Sequence, residues 1–466
     1  MVLEHHFPLT TVSRHNSRIK NDNDLGAIVD FRILADRVAA DVARGRLRPG
    51  DRLPTQRRFA RDHRIAVSTA ARVYAELTRR GVVVGEVGRG TFVRAAAPTP
   101  EPALAEPAHA PVDLELNFPV LPEQPGLLAP AIESLSRPDI LAAALAPLGV
   151  RATAELRAQA GRVLARPGWT PPDLIVTGSG RHAIGAAFAG LVPTGGRIAV
   201  EALTYPLVRG IAHRLGLVAV PVALDDEGMV PGALDAVCSE APVHAVSVQP
   251  TLHNPLGVTM SEQRRAAVAA VLRAHGVVAV EDAVYSFLRP DPGPLAAHAP
   301  ERTVVVDSLS KRVAPGLTLG FVAGPPELTE RIGVAARTAG YGPQGLAVAA
   351  ATRWLSDGVV DTLVAGKRAD AAARQTLARR ILPTLRADPA AYHAWLPLPD
   401  PWRAETFVAA AARRGIAVTP AAAFAVIPAH SPNAVRLALS APSPAQLERS
   451  LHSLATLLRA TPDLPD

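Results

Sequence analysis

The sequence predicts two units of different class: a small N-terminal winged helix-turn-helix and a larger α/β unit with a mainly parallel central sheet, closed by a smaller α+β C-terminal subdomain. Three observations predict this. Helical periodicity recurs three times in the first hundred residues and is followed by a Gly-rich hairpin. Apolar runs then alternate with helical stretches, the texture of a parallel sheet covered on both faces. Between the two lies an Ala/Pro-rich stretch that cannot build a core and reads as a semi-extended tether. At 466 residues the chain also exceeds one ordinary domain. The expected boundaries are 26–94 for the head, 95–112 for the linker and 113–466 for the body.

Composition narrows the partners. No apolar run approaches the ~20 residues of a membrane span, and Met1 to Lys20 is too mixed and polar for a signal peptide. Cys238 is the only cysteine. That excludes a disulfide scaffold and a cysteine-rich zinc site, so no metal is expected and a reducing cytoplasm fits. The net charge is +7 and unevenly spread. Gly26 to Arg94 holds fifteen arginines and seven acidic residues, so the head carries the whole positive balance. A basic head on a near-neutral body points to nucleic acid.

In the head, Ile33, Leu34, Val38 and Val42 recur at helical spacing over Val29 to Arg44. Thr55 can cap a second helix through Arg57, Arg58 and Phe59. Ser68 can cap a third from Thr69 to Arg80, with Val73, Tyr74 and Leu77 inward and Gly81 as its stop. Val82-Val83-Val84 and Thr91-Phe92-Val93 flank a Gly-rich turn. Thr69, Ala70 and Arg72 stand where major-groove readers place base contacts, with Ser68 beside them. Arg57 and Arg58 suit phosphates, and Arg89, between two glycines, suits a minor groove. Leu47-x-Pro49-Gly50-Asp51-x-Leu53-Pro54-Thr55-x-Arg57, Val67-Ser68-x-x-Ala71-x-x-x-Tyr74-x-x-Leu77 and Gly88-x-Gly90-Thr91-Phe92-Val93 resemble the GntR-type winged helix.

In the body, strands are expected at 174–177, 197–201, 218–221, 245–248, 277–281, 304–307 and 319–323. After a long helix near Leu355, a helix is expected at 402–414, strands at 416–418 and 435–439, and a closing helix at 444–459. Four groups follow predicted strands, where open α/β sheets place ligands. Ser179-Gly180-Arg181 opens a helix, a phosphate-binding pattern. Tyr205 can stack on a flat heterocycle. Asn254 and Tyr285 can bond a ring hydroxyl, and Asp282, leaving an apolar strand, can pair with a protonated ring nitrogen. Ser308-Leu309-Ser310-Lys311 adds two hydroxyls and a lysine that burial can turn into a carbonyl-reactive amine. Together they are the set that pyridoxal 5'-phosphate requires.

This series, with Gly415-Ile416-x-Val418-x-Pro420-x-x-x-Phe424 and Val435-Arg436-Leu437-x-Leu439-Ser440, is similar to fold-type I aminotransferases over about residues 113–460. The resemblance implies pyridoxal phosphate joined to Lys311, a substrate or effector carboxylate on Arg436, and a homodimer. One position departs from the pattern: Thr318 stands where the family carries a phosphate-binding arginine, so either Arg181 or Arg312 replaces that charge or the phosphate is held less tightly. A GntR-like head on an aminotransferase-like body resembles the MocR/GabR regulators. That implies a cytoplasmic transcriptional regulator acting on a double-stranded DNA operator. It would sense a small amine or amino acid, or pyridoxal phosphate itself, by aldimine chemistry at Lys311. The alternative is a working aminotransferase that carries a DNA-binding head.

Overall fold

The computed structural model describes residues 31–43, 46–47, 51–79, 82–86, 90–93, 110–316 and 319–460. The chain separates into two units, Met1–Ala97 and Pro98–Asp466. Most of the linker expected at 95–112 lies outside the described residues, as do Arg89 and Thr318.

The head comprises α1 (Phe31–Ala43), α2 (Gln56–His63), α3 (Val67–Arg79) and an antiparallel hairpin of β1 (Val83–Glu86) and β2 (Gly90–Val93). Leu34, Val38, Phe59, Val73, Tyr74, Leu77, Val83 and Val93 form its core. Thr55 caps α2 by accepting from the Arg58 N–H. The Ser68 cap expected from the sequence is not formed. α3 begins at Val67, two residues earlier than expected, with the Ala70 N–H already bonded to the Ala66 carbonyl, so Ser68 lies exposed inside the first turn. Backbone bonds from Leu53 to Thr91 and from Val93 to Asp51 tie the α1–α2 connection to the wing.

The body is built on a seven-stranded sheet. Its strands, following β3 (Val112–Asp113), are β4 (Asp173–Thr177), β5 (Arg197–Glu201), β6 (Val218–Val222), β9 (Ala245–Val248), β10 (Val278–Asp282), β11 (Thr303–Ser308) and β12 (Gly320–Gly324). A small hairpin of β7 (Leu224–Asp225) and β8 (Gly228–Met229) lies between β6 and β9 in sequence. The order is β4-β12-β11-β10-β9-β5-β6. Only β12 runs antiparallel to its neighbours. Every expected strand is present within a residue or two of its expected ends. Alternation along β11 sends Val304 and Val306 into one core, with helices 180–191 and 326–338, and Val305 into the other, with helices 154–164 and 345–356.

The C-terminal subdomain pairs β13 (His393–Pro397), β16 (Ala434–Ala438) and β15 (Thr419–Pro420) antiparallel. It packs them on helices 404–413 and 444–459. β14 (Ile416–Ala417) instead pairs in parallel with β3, which ties the start of the body to this subdomain.

Candidate cofactor and effector site

The carboxyl ends of β4, β5, β9, β10 and β11 open into a cavity of about 500 Å³. Ser179, Gly180, Arg181, Tyr205, Asn254, Asp282, Tyr285, Ser308, Ser310 and Lys311 all line it. Ser179 caps helix 180–191 by accepting from the His182 N–H at 3.1 Å. The His182 ring stacks on Tyr341 at 4.7 Å, and the Tyr341 carbonyl accepts from Gly178, which holds the turn from outside. A Cβ on Gly180 would come 3.1 Å from the Ser308 Cβ, so glycine lets the two hydroxyl-bearing loops meet.

Lys311 stands on a four-residue helix, Leu309–Arg312, capped by the Ser308 hydroxyl. Its Nζ donates to the Asn117 carbonyl at 2.5 Å and lies 3.3 Å from the Phe118 ring centroid. Loss of water lowers its pKa well below that of a free lysine, with the cation of Arg436 adding to the effect. Asp282 accepts one bond, from the Val284 N–H. Burial, helped by the Asp307 and Glu201 carboxylates, raises its pKa to about 7. Burial also pushes the Tyr205 phenol up to about 12 and raises Tyr285. Dehydrated Lys311 and poorly compensated Asp282 are two groups that an aldehyde and a pyridinium would satisfy. The residues present therefore fit pyridoxal phosphate. Arg312 does not stand in for the missing arginine, since it is buried and paired with Asp307. Arg181 is exposed at the cavity and is free of that tie.

Arg436 lies beside the cavity and is buried. Its guanidinium donates to the Glu115 carbonyl, to Thr419 Oγ1 at 3.2 Å and to Asn254 Oδ1 at 3.2 Å, while its Nε has no partner. Asn254 thus faces Arg436, and Tyr285 accepts from Asn117 Nδ2 at 2.9 Å. The segment 115–118 therefore reaches Arg436, Lys311 and Tyr285 at once. Sequence reasoning missed it, because no motif marks residues whose carbonyls do the work. Gln249, which accepts from the Asn254 N–H at 2.7 Å, was also missed, as was the pair Glu201–His253, 3.2 Å apart and buried.

In the head, Arg57, Arg58, Ser68 and Arg72 are exposed and Thr69 is half-buried. Arg58 stands 3.8 Å from Asp62. The Arg72 guanidinium lies 4.2 Å over the Phe31 ring, which draws it toward α1. Arg89 lies outside the described residues.

Comparison with known proteins matches residues 32–93 to the bacterial regulatory proteins of the gntR family and residues 155–454 to aminotransferase class I and II. The chain is 28% identical over 438 residues to the HTH-type transcriptional regulator YdeF of Bacillus subtilis, covering 92% of this chain and 94% of YdeF. It is 26% identical over 469 residues to the regulator TauR of Rhodobacter capsulatus, covering 91% and 96%. The body has the fold of a kynurenine aminotransferase from Pyrococcus horikoshii solved with PMP. The TM-score is 0.69 at 21% identity, over 75% of this chain and 90% of that one. Pyridoxal phosphate is the cofactor indicated by this fold, and DNA is the partner indicated by the head. The chain belongs to the aminotransferase class I and II family and carries an N-terminal GntR-family helix-turn-helix domain.

Proposed function

We propose that this chain is a pyridoxal-phosphate-dependent transcriptional regulator of the MocR type, in which an amine or amino acid, or the cofactor itself, is sensed at Lys311. One observation carries the reading. A single chain holds a helix-turn-helix head with exposed arginines and a cavity built around a dehydrated lysine. The similarity to YdeF and TauR over nearly their whole lengths supports it.

The cofactor, when bound, supplies an aldehyde that condenses reversibly with primary amines. Ser179, Gly180, Arg181, Ser308 and Ser310 would hold its phosphate, aided by the N-terminus of helix 180–191. Tyr205 would flank the ring, Asp282 would hold the proton on its nitrogen, and Asn254 and Tyr285 would reach its hydroxyl. Lys311 presents an amine whose charged form burial disfavours. Arg436 would take a ligand carboxylate through its fork, in place of the Glu115 carbonyl it now holds. That exchange disturbs the segment 115–118, which leads back in sequence toward the linker. A ligand that favours one arrangement of this segment has the differential affinity that switching needs.

A homodimer suits this reading, and helix Pro138–Leu145 supports it. The helix is largely apolar, buries no residue and leaves Leu145 68% exposed. A regulator of this kind works in the cytoplasm, and no helix among the described residues is long and apolar enough to cross a membrane.

The test is one sample followed two ways. The protein is titrated with pyridoxal phosphate and then with a panel of amines and amino acids, reading visible absorbance and DNA binding together. A visible band that borohydride traps in the parent and that is absent from Lys311→Ala is expected. No band in the parent overturns the cofactor assignment. Steady turnover of an amino acid with a keto-acid acceptor, without any effect on DNA binding, assigns the chain as an aminotransferase instead.

A further inference from the structure

The chain uses arginine almost everywhere it needs a cation. It contains three lysines, Lys20, Lys311 and Lys367. Two of them meet in the body. Lys367 lies on the long helix Val359–Ile381 and is 0% exposed. Its Nζ donates to three consecutive carbonyls, those of Lys311 at 2.9 Å, Arg312 at 3.0 Å and Val313 at 2.9 Å.

A four-residue helix has no interior, so its last carbonyls find no partner within it. Three carbonyls converging on one point demand three donors from one atom. An ammonium has three at tetrahedral angles, whereas a guanidinium spreads its donors in a plane. Arginine, the cation this chain otherwise prefers, cannot make the same contact. The other end of the helix is held by the Ser308 hydroxyl, and its flank by the buried Asp307–Arg312 pair.

The same long helix reaches the other half of the site. Arg368 donates to the Phe287 carbonyl, just beyond Tyr285. Gln375 donates to the carbonyls of Ala391 and His393, and Arg374 to those of Leu439 and Pro442. These contacts fix the helix to the chain flanking β13 and β16, and β16 carries Arg436.

We infer that Lys367 is a positioning residue: by capping the helix that bears Lys311 it sets the lysine's place in the cofactor cavity and registers it to the subdomain that carries Arg436. This rests on the cofactor assignment above. Lys367 lines no part of the cavity; it acts through the backbone of residues 311–313 and, when protonated, through its field on Lys311.

The test uses the full-length protein and pyridoxal phosphate as the probe. Lys367→Met keeps the length of the side chain and removes every donor. Lys367→Gln keeps two donors and removes the charge. Three quantities are read: the cofactor dissociation constant by absorbance titration, the pH midpoint of the visible band, and the thermal midpoint without cofactor. Lys367→Met is expected to weaken cofactor binding ~tenfold or more. Lys367→Gln is expected to recover part of that loss. Burial lowers the Lys367 pKa to about 7, so below that pH, where it keeps its proton, both variants lose a cation near Lys311 and the pH midpoint should rise. A variant that lowers only the thermal midpoint, with affinity and pH midpoint those of the parent, overturns the inference. If Lys367→Met is insoluble, Lys367→Gln decides by the same two quantities. A parent protein without a visible band fails the cofactor assignment, whereas a normal band in parent and variants alike fails this inference alone.

Discussion

The Asp282 carboxyl carries a raised pKa of about 7 because water is excluded and two other carboxylates, Asp307 and Glu201, stand near. The sign of its contribution to stability follows. Between about pH 4 and pH 7 the folded, cofactor-free protein keeps a proton on Asp282 that the unfolded chain has lost. Folded molecules then bind more protons, so this residue makes stability fall as pH rises through that window. His393 works the other way, its pKa lowered to about 3 by burial, and favours stability as pH rises through the range below ~6.5. The two are separated by comparison. Asp282→Asn should remove only the falling component, changing the slope of stability against pH by at most ~1.4 kcal/mol per unit. Urea unfolding of parent and variant at several pH values measures it. The same variant should bind pyridoxal phosphate at least ~tenfold more weakly, having lost the carboxylate that would hold the ring proton. Asp282 and Lys311 were legible in the sequence because a strand, a turn and a reactive side chain stand together. Asn117 was not, because its backbone carbonyl and its amide each serve a different partner. Lys367 left a trace that was not used: it falls on the buried stripe Val360, Leu363, Ala371 and Ala378, where a lysine needs a partner.

The elements show what patterning reveals and what it hides. All seven strands of the large sheet are visible as apolar runs, because strands buried on both faces leave little room for polar residues. Direction is not visible in that pattern. β12 runs antiparallel to β11 across the link 309–319 that carries Lys311. The reversal brings Gly320 opposite both Ser308 and Thr177. There a Cβ would lie 2.1 Å from the Ser179 carbonyl oxygen and 2.5 Å from Thr177 Oγ1. Backbone cannot yield as a flexible side chain can. Gly320→Ala should therefore cost about 1–3 kcal/mol, seen as a lower thermal midpoint, and should displace the Ser179 turn enough to weaken cofactor binding. Gly316→Ala is the control. A Cβ there meets nothing within 4 Å, so its thermal midpoint should stay near that of the parent. The short strand His393–Pro397 was missed for a different reason: it pairs with β16 and, through one bridge at Trp395, with Arg386, and its local signal is weak.

Across the whole chain, charge and chemistry are divided between the units. The head holds the positive balance, and Lys311 lies in the rest of the chain, which is near neutral. DNA binding and cofactor binding should then separate by mutation. Lys311→Ala should lose the visible band while binding a random-sequence duplex as the parent does, because its contacts with Asn117 and Phe118 lie within the body. Within the head the arginines are not equivalent. Arg57 is exposed in the first turn of α2, where phosphate is favoured, whereas Arg58 shares its charge with Asp62 at 3.8 Å. A phosphate contact releases about one counterion, so log K against log salt should lose ~0.9 of its slope when one is removed. Arg57→Ala should show that full loss and weaken binding evenly across sequences. Arg58→Ala should show a smaller one, since Asp62 already neutralises part of its charge. Fluorescence anisotropy with a labelled duplex, over a range of potassium chloride concentrations, measures both slopes. Equal slopes for Arg57→Ala and the parent would remove Arg57 from the phosphate contacts, and equal losses in the two variants would show that the Arg58–Asp62 pair opens when DNA binds.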